Sequence, residues 1–155
     1  MTRDDLSRFV DAQADTYDTA LAEIRSGQKR SHWMWFIFPQ LRGLGHSAMA
    51  QHYGIASLDE GRAYLAHPVL GPRYRICVEA VDALGTNDPV TVFGTTDAMK
   101  LRSSLTLFEA AEPSPLIDKV LQRFFNGERD AATQQILSAS AKATVGRRTS
   151  AKLSP

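Results

Sequence analysis

The chain has 155 residues, a formal net charge of +1 and a single cysteine, with 43% hydrophobic and 23% charged residues. That is the length of one domain with a substantial core and the composition of an ordinary globular protein. The near-neutral charge excludes bulk electrostatic binding of nucleic acid or membrane, and the lone Cys77 excludes an internal disulfide or a cysteine metal cluster. No apolar run approaches the roughly 18 residues of a membrane span. The charged start, Arg3-Asp4-Asp5, has no signal-peptide core, so a cytoplasmic location is expected.

Leu6, Phe9 and Val10 predict a short helix over 4–12, and Tyr17, Leu21 and Ile24 a second over 15–26 that Gly27 stops. Residues 32–38 are apolar on every side, so they are buried as a helical turn or a strand. The lack of Val and Thr and the early Pro39 favour the turn. Gly43 and Gly45 make an elbow, and Ser47 caps a short helix through His52 that Gly54 stops. Ser57 and Glu60 form a capping box for a helix to about Ala66 that buries Ala63, Tyr64 and Leu65. His67-Pro68 breaks it.

Gly71-Pro72 opens the next helix with proline near its first position. Its apolar positions are Ile76, Cys77, Ala80, Val81 and Leu84, and Gly85 ends it. Residues 88–94 have strand character but no partner strand, and read as a helical turn or an extended connector. A helix over 96–111 buries Leu101, Leu105 and Phe108. Ser114-Pro115 starts another, with Leu116, Val120, Leu121 and Phe124 inward and Asn126-Gly127 as its stop. A last helix covers about 130–138. The remaining residues are rich in Ser, Ala and Thr, with Lys142, Arg147, Arg148 and Lys152 and little apolar surface to offset ordering entropy. The expected organisation is one all-α domain over 1–138, an irregular orthogonal bundle of about six to eight helices around Trp33–Phe38. A disordered basic tail over 139–155 follows.

Chemistry concentrates in residues 29–54, which hold both tryptophans and three of the four histidines. Lys29, Ser31, His32, Trp35, Gln40, Ser47 and Tyr53 gather there. Lys100 and Ser104 share a helix face at i, i+4, and Arg73 and Arg102 add charge. Aromatic walls with a few placed polar groups are the make-up of small-ligand pockets. Cations and hydroxyls suit an anion, and aromatics suit a flat base. The plainer alternative is that the tryptophans are core and the cations solvated. His46 and His52 lie six apart with no H-x-x-x-H pair, so no metal site is expected. Gly43-Leu44-Gly45 is too short for a phosphate loop, and no G-x-S-x-G elbow is present. Ser103-Ser104 lies mid-helix, where serines bond backbone carbonyls or a ligand's oxygens. Cys77 falls in a helical pattern and reads as core.

Four blocks carry a resemblance. They are Lys29 to Leu44; Ser47-x-x-Ala50-x-x-Tyr53-Gly54-Ile55; Ala63-Tyr64-Leu65-x-His67-Pro68-x-Leu70-Gly71-Pro72-Arg73; and Lys100-x-Arg102-Ser103-Ser104-x-Thr106-x-Phe108. Over about residues 4–138 the chain resembles a bacterial family of unknown function whose members are sometimes labelled calpastatin. The resemblance implies a compact helical domain with no established activity. The label itself implies nothing further: calpastatins are disordered inhibitors, and a chain this rich in Trp, Phe, Leu and Ile folds.

The leading expectation is an enzymatic pocket for an anionic, nucleotide-like small molecule such as ADP-ribose or a nucleotide derivative. Lys29, Arg73, Lys100 and Arg102 would hold negative charge, and Trp35 and Tyr53 would stack. His32 would act as a neutral general base with Ser31 or a water as its proton source. Ser31, Gln40, Ser47 and Ser104 would orient oxygens. Two alternatives belong to other classes. One is a non-catalytic interaction module with an aromatic groove, which requires an exposed apolar patch. The other is a nucleic-acid accessory protein acting through the basic tail, whose four charges give a weak, salt-sensitive attraction. No cofactor is expected, and nothing in the sequence bears on oligomeric state.

Overall fold

The computed structural model describes residues 6–141. The fold is all-α, with ten helices among the described residues: α1 (Ser7–Ala14), α2 (Tyr17–Ser26), α3 (Met34–Ile37), α4 (Ala48–Tyr53), α5 (Leu58–Ala66), α6 (Leu70–Asp82), α7 (Pro89–Phe93), α8 (Thr95–Ala111), α9 (Pro115–Phe125) and α10 (131–141). Six to eight were expected, because one-turn helices such as α3 and α7 are too short to show a helical period. The last helix runs to 141 rather than about 138; the rest of the expected tail, 142–155, lies outside the described residues.

The segment 33–38 is the centre of the packing. Trp33 and Phe38 are fully buried, and Met34, Phe36 and Ile37 nearly so. Around it runs a chain of rings. Phe38 meets Tyr74 and Phe93 edge-on at 5.7 and 6.3 Å, and Tyr74 and Phe108 lie 4.4 Å apart. Such offset and edge contacts add attraction beyond area burial. The longest helix, α8, passes under this cluster with Leu101, Leu105, Leu107 and Phe108 fully buried. An isolated parallel bridge between Leu41 and Ile55 ties the chain after α3 to the chain after α4.

Several polar groups inside the core are paired, although Tyr17 Oη, Glu60 Oε2 and Arg102 Nε are buried without a hydrogen-bond partner among the described residues. Buried Gln13 donates to the Phe36 carbonyl at 2.8 Å and to the Tyr64 hydroxyl at 3.0 Å. The Tyr74 hydroxyl lies 2.9 Å from Ser104 Oγ. Burial pushes the Cys77 thiol up to about 12, so it stays protonated and behaves as a small core residue.

Helix starts follow the expected capping. The hydroxyls of Ser47, Ser57 and Ser114 accept the backbone N–H of Ala50, Glu60 and Ile117. Within residues 88–94, Pro89–Phe93 form α7, capped by Asp88 Oδ1 on Val90 N–H. Other details depart from expectation. Glu60 reaches past its own cap to Ala56 N–H at 2.8 Å, because Arg8 draws the same carboxylate oxygen at 3.3 Å. Helix α6 opens at Leu70, two residues before Pro72, and ends at Asp82 rather than Gly85. Ile76 and Ala63 are exposed and Leu116 is half-buried, whereas Ile117 is buried. Gly71 allows α5 and α6 to meet: a Cβ there would lie 2.0 Å from the Leu65 carbonyl oxygen.

The break at His67 has a cap of its own. His67 Nδ1 accepts from the backbone N–H of Val69 at 3.1 Å and Leu70 at 3.3 Å, covering two donors at the start of α6. His67→Ala is expected to cost about 0.5–2 kcal/mol, the usual loss of a side-chain cap. Urea denaturation checks this, and an unchanged midpoint would show that water replaces the ring.

Candidate functional site

One cleft of about 380 Å³ collects the chemistry of the central stretch. Its walls come from three places: Lys29 and His32 before α3, Met34 and Trp35 on α3, and the junction Phe93 to Lys100 where α7 passes into α8. The junction turns sharply at Gly94, whose φ of +81° falls in the region that disfavours side chains. No side chain caps α8 there, so its first N–H groups point toward the cleft end of the helix.

Glu23 on α2 sets the entry strand. Its Oε1 accepts the backbone N–H of Arg30 at 2.8 Å and of Ser31 at 3.0 Å, and the indole N–H of Trp33 at 2.9 Å. Its Oε2 accepts the Ser31 hydroxyl at 2.6 Å. Burial alone would raise the pKa, but the Ser31 hydroxyl, the Arg30 N–H and the Trp33 indole together outweigh it and hold the carboxyl down to about 2. Lys29 N–H donates to the Val92 carbonyl at 2.8 Å, pinning the same strand to α7. The backbone that carries Lys29 and His32 is therefore fastened at both ends.

The charges within the cleft are arranged around Asp97. Lys29 Nζ lies 2.8 Å from Asp97 Oδ2, 2.5 Å from the Ser31 carbonyl and 4.9 Å above the Trp33 ring. Its side chain is 7% exposed. Lys100 Nζ lies 3.6 Å from Asp97 Oδ1 and 4.7 Å above the Trp35 ring. Two ammonium groups face one carboxylate, with the exposed imidazole of His32 at the rim. The balance is cationic. Among the described residues no group of three or more His, Cys, Asp or Glu is placed to hold a metal ion, and no helix is long and apolar enough to cross a membrane.

Residues 3–137 match the family described as "Protein of unknown function (DUF1810)". The chain belongs to that family. Its fold is also that of a solved structure, a conserved hypothetical protein from Mycobacterium tuberculosis, with a TM-score of 0.85 and 45% identity over 86% of this chain and 96% of that one. No curated protein matches the chain.

Within this DUF1810 chain the expected site residues fall into two groups. Lys29, His32, Trp35 and Lys100 share the cleft. Ser31 stands behind it, its hydroxyl committed to Glu23, which corrects its expected role as proton source. Gln40 and Tyr53 meet the other side of Trp35 in a hollow of about 10 Å³, too small for any ligand. Ser47 is spent on its helix cap. Arg73 lies over the Tyr17 ring at 4.7 Å and donates to Gln13 at 3.4 Å, on the α1–α2 side. Arg102 points to Glu128 and Asp130 at 3.7 and 4.0 Å. Ser104 is fully buried against Tyr74 and cannot meet a ligand. Asp97, Phe93, Gly94, Thr95 and Thr96 belong to the cleft and were not expected there.

A larger hollow of about 500 Å³ lies between α8, α9 and α10. Its one cation, Arg129, is taken by Glu109 at 2.6 and 3.0 Å and by Asp118 at 2.7 Å. Those hydrogen bonds raise the guanidinium's pKa further and leave it no free edge for an anion.

Proposed function

We propose that the cleft beside Trp35 binds an anionic, nucleotide-like small molecule, an ADP-ribose or nucleotide derivative, in a cytoplasmic setting, and that His32 serves proton transfer there. The observation that carries this reading is the convergence of Lys29, His32, Trp35 and Lys100 on one cleft, from positions up to 71 residues apart in sequence, with Lys100 over the Trp35 ring. The volume of about 380 Å³ lies in the range of ligand sites. Lys100 over a partly open ring is worth about 0.5–1 kcal/mol. A stacked base is worth about 1–3 kcal/mol. A base can therefore take the ring from Lys100 and leave that ammonium free to hold a phosphate.

The interaction-module reading finds less support. The exposed large hydrophobics among the described residues are Met49, Val69, Ile76, Val90 and Met99, spread over separate elements and including no aromatic ring. Single exposed aliphatics are normal on a monomer.

Thermal-shift and tryptophan-fluorescence titrations with ADP-ribose, AMP and sugar phosphates test the proposal. A ligand at about 100 times its Kd should stabilise by roughly 2.7 kcal/mol. Lys100→Ala is expected to weaken binding about tenfold or more while leaving the ligand-free melting temperature nearly unchanged; Trp35→Ala is expected to weaken binding as much but also to lower the melting temperature, because Trp35 packs against the core. His32→Gln is expected to keep affinity and lower any turnover by about two decades. No response to any anionic nucleotide, or a response that Lys100→Ala leaves intact, would sink the reading.

A further inference from the structure

The carboxylate at the centre of a cationic cleft needs a reason. A receptor for a bare anion has no use for Asp97, which repels the charge that Lys29 and Lys100 attract. Its geometry suggests a second kind of guest. Oδ2 is taken by Lys29 at 2.8 Å, but Oδ1 has Lys100 at 3.6 Å, too long for a hydrogen bond. A carboxylate offers about four acceptor positions across its two oxygens, and Lys29 fills one of them on a side chain that lines the cleft. The side chain is 20% exposed, which is enough to meet a ligand and little enough to be held in place. Hydroxyl groups are the donors that fill such positions without adding charge, and neighbouring hydroxyls of a sugar match a carboxylate's paired oxygens. Acidic side chains read ribose hydroxyls in this way in other nucleotide sites.

We propose that Asp97 makes the cleft selective for an anion that carries a vicinal diol, its carboxylate, fixed by Lys29, accepting the hydroxyls of a ribose while Lys100 holds the phosphate. This rests on the nucleotide-like reading above and narrows it to ribosides. It assigns each charge a partner: Lys29, buried and paired to Asp97, orients the carboxylate, and Lys100, the looser of the two, turns to the phosphate. The competing role for Asp97 is a strut that only spaces the two lysines.

Calorimetric titration of the full chain with AMP, 2′,3′-dideoxy-AMP and inorganic pyrophosphate separates these roles. AMP is expected to bind at least tenfold more tightly than its dideoxy analogue. In Asp97→Asn that preference is expected to disappear while pyrophosphate binds as well as before or better. Equal affinity of the wild-type chain for AMP and dideoxy-AMP overturns the inference, and this comparison needs no variant to fold. A preference that survives in Asp97→Asn overturns it as well. If neither AMP nor pyrophosphate binds the wild-type chain, the pocket reading itself fails and takes the inference with it; if both nucleotides bind alike, the pocket reading stands and the riboside assignment alone is lost.

Discussion

Replacing Phe36 with alanine is expected to cost about 3–5 kcal/mol, the range for removing a buried aromatic and leaving a cavity. Phe36 is 7% exposed and packs against Tyr53 with ring centroids 5.3 Å apart. The space it vacates has few ways to close. The Phe36 carbonyl is held by Gln13, and Gln13 is itself held by Tyr64, so the backbone cannot sink inward without breaking buried hydrogen bonds. Since folded domains hold only about 5–15 kcal/mol in all, the variant should be marginal at 37 °C. Urea unfolding followed by fluorescence measures the loss, and a cost below about 1 kcal/mol would show that α3 is peripheral rather than central. The same residue links fold to site, because α3 also presents Trp35 to the cleft.

Much of this core was legible from sequence. An unbroken apolar run too short for a membrane span has to be buried on all sides, and Pro39 limits it to a turn. Serine caps were legible because their chemistry is local: one oxygen and one N–H three residues on. What the sequence left open or missed is tertiary. Of the two readings of residues 88–94, a helical turn or an extended connector, the turn forms despite the strand propensity of Val90-Thr91-Val92, because Phe93 and Val92 bury against the core and Asp88 caps it. Ile76 reads as core by composition and lies exposed, because Tyr74, Cys77, Val78 and Val81 already fill the inward face of α6.

The site was legible in half. Lys29, His32 and Trp35 lie in one stretch, so proximity in sequence is enough to group them. Lys100 joined them through its place on α8. Arg73, Arg102 and Ser104 were grouped by residue type, and residue type does not reveal a partner: Tyr17, the pair Glu128 and Asp130, and Tyr74 claim them. Asp97 left a usable signal. Gly94-Thr95-Thr96-Asp97 has the glycine, polar first turn and early acid of a helix start, and a helix start beside two lysines is where an anion would be sought. Glu23 left none, since an acid on an exposed-looking helix face gives no hint that four donors will meet it.

Glu23 should therefore be the most consequential polar residue to change. Glu23→Ala leaves the buried indole N–H of Trp33 without an acceptor, along with the Ser31 hydroxyl and two backbone N–H groups. An orphaned buried donor costs about 1–3 kcal/mol. Water can reach the more exposed Arg30 side of the group, so the expected total is about 2–4 kcal/mol. Glu23→Gln keeps one acceptor oxygen and is expected to cost less. The effect is tied to pH. The folded-state pKa is lowered to about 2 from an ordinary 4.5, so the unfolded chain takes up the proton first as pH falls. Glu23's contribution is whole above about pH 5, erodes from about 4.5 downward and is gone near 2. Urea denaturation of the wild-type chain and Glu23→Gln at a series of pH values between 7 and 3 should show two stabilities that converge on acidification. A constant gap across that range would mean that the carboxylate's charge is not what holds the strand. Because that strand carries Lys29 and His32, Glu23→Gln should also weaken ligand binding at pH 7 without touching any residue that lines the cleft.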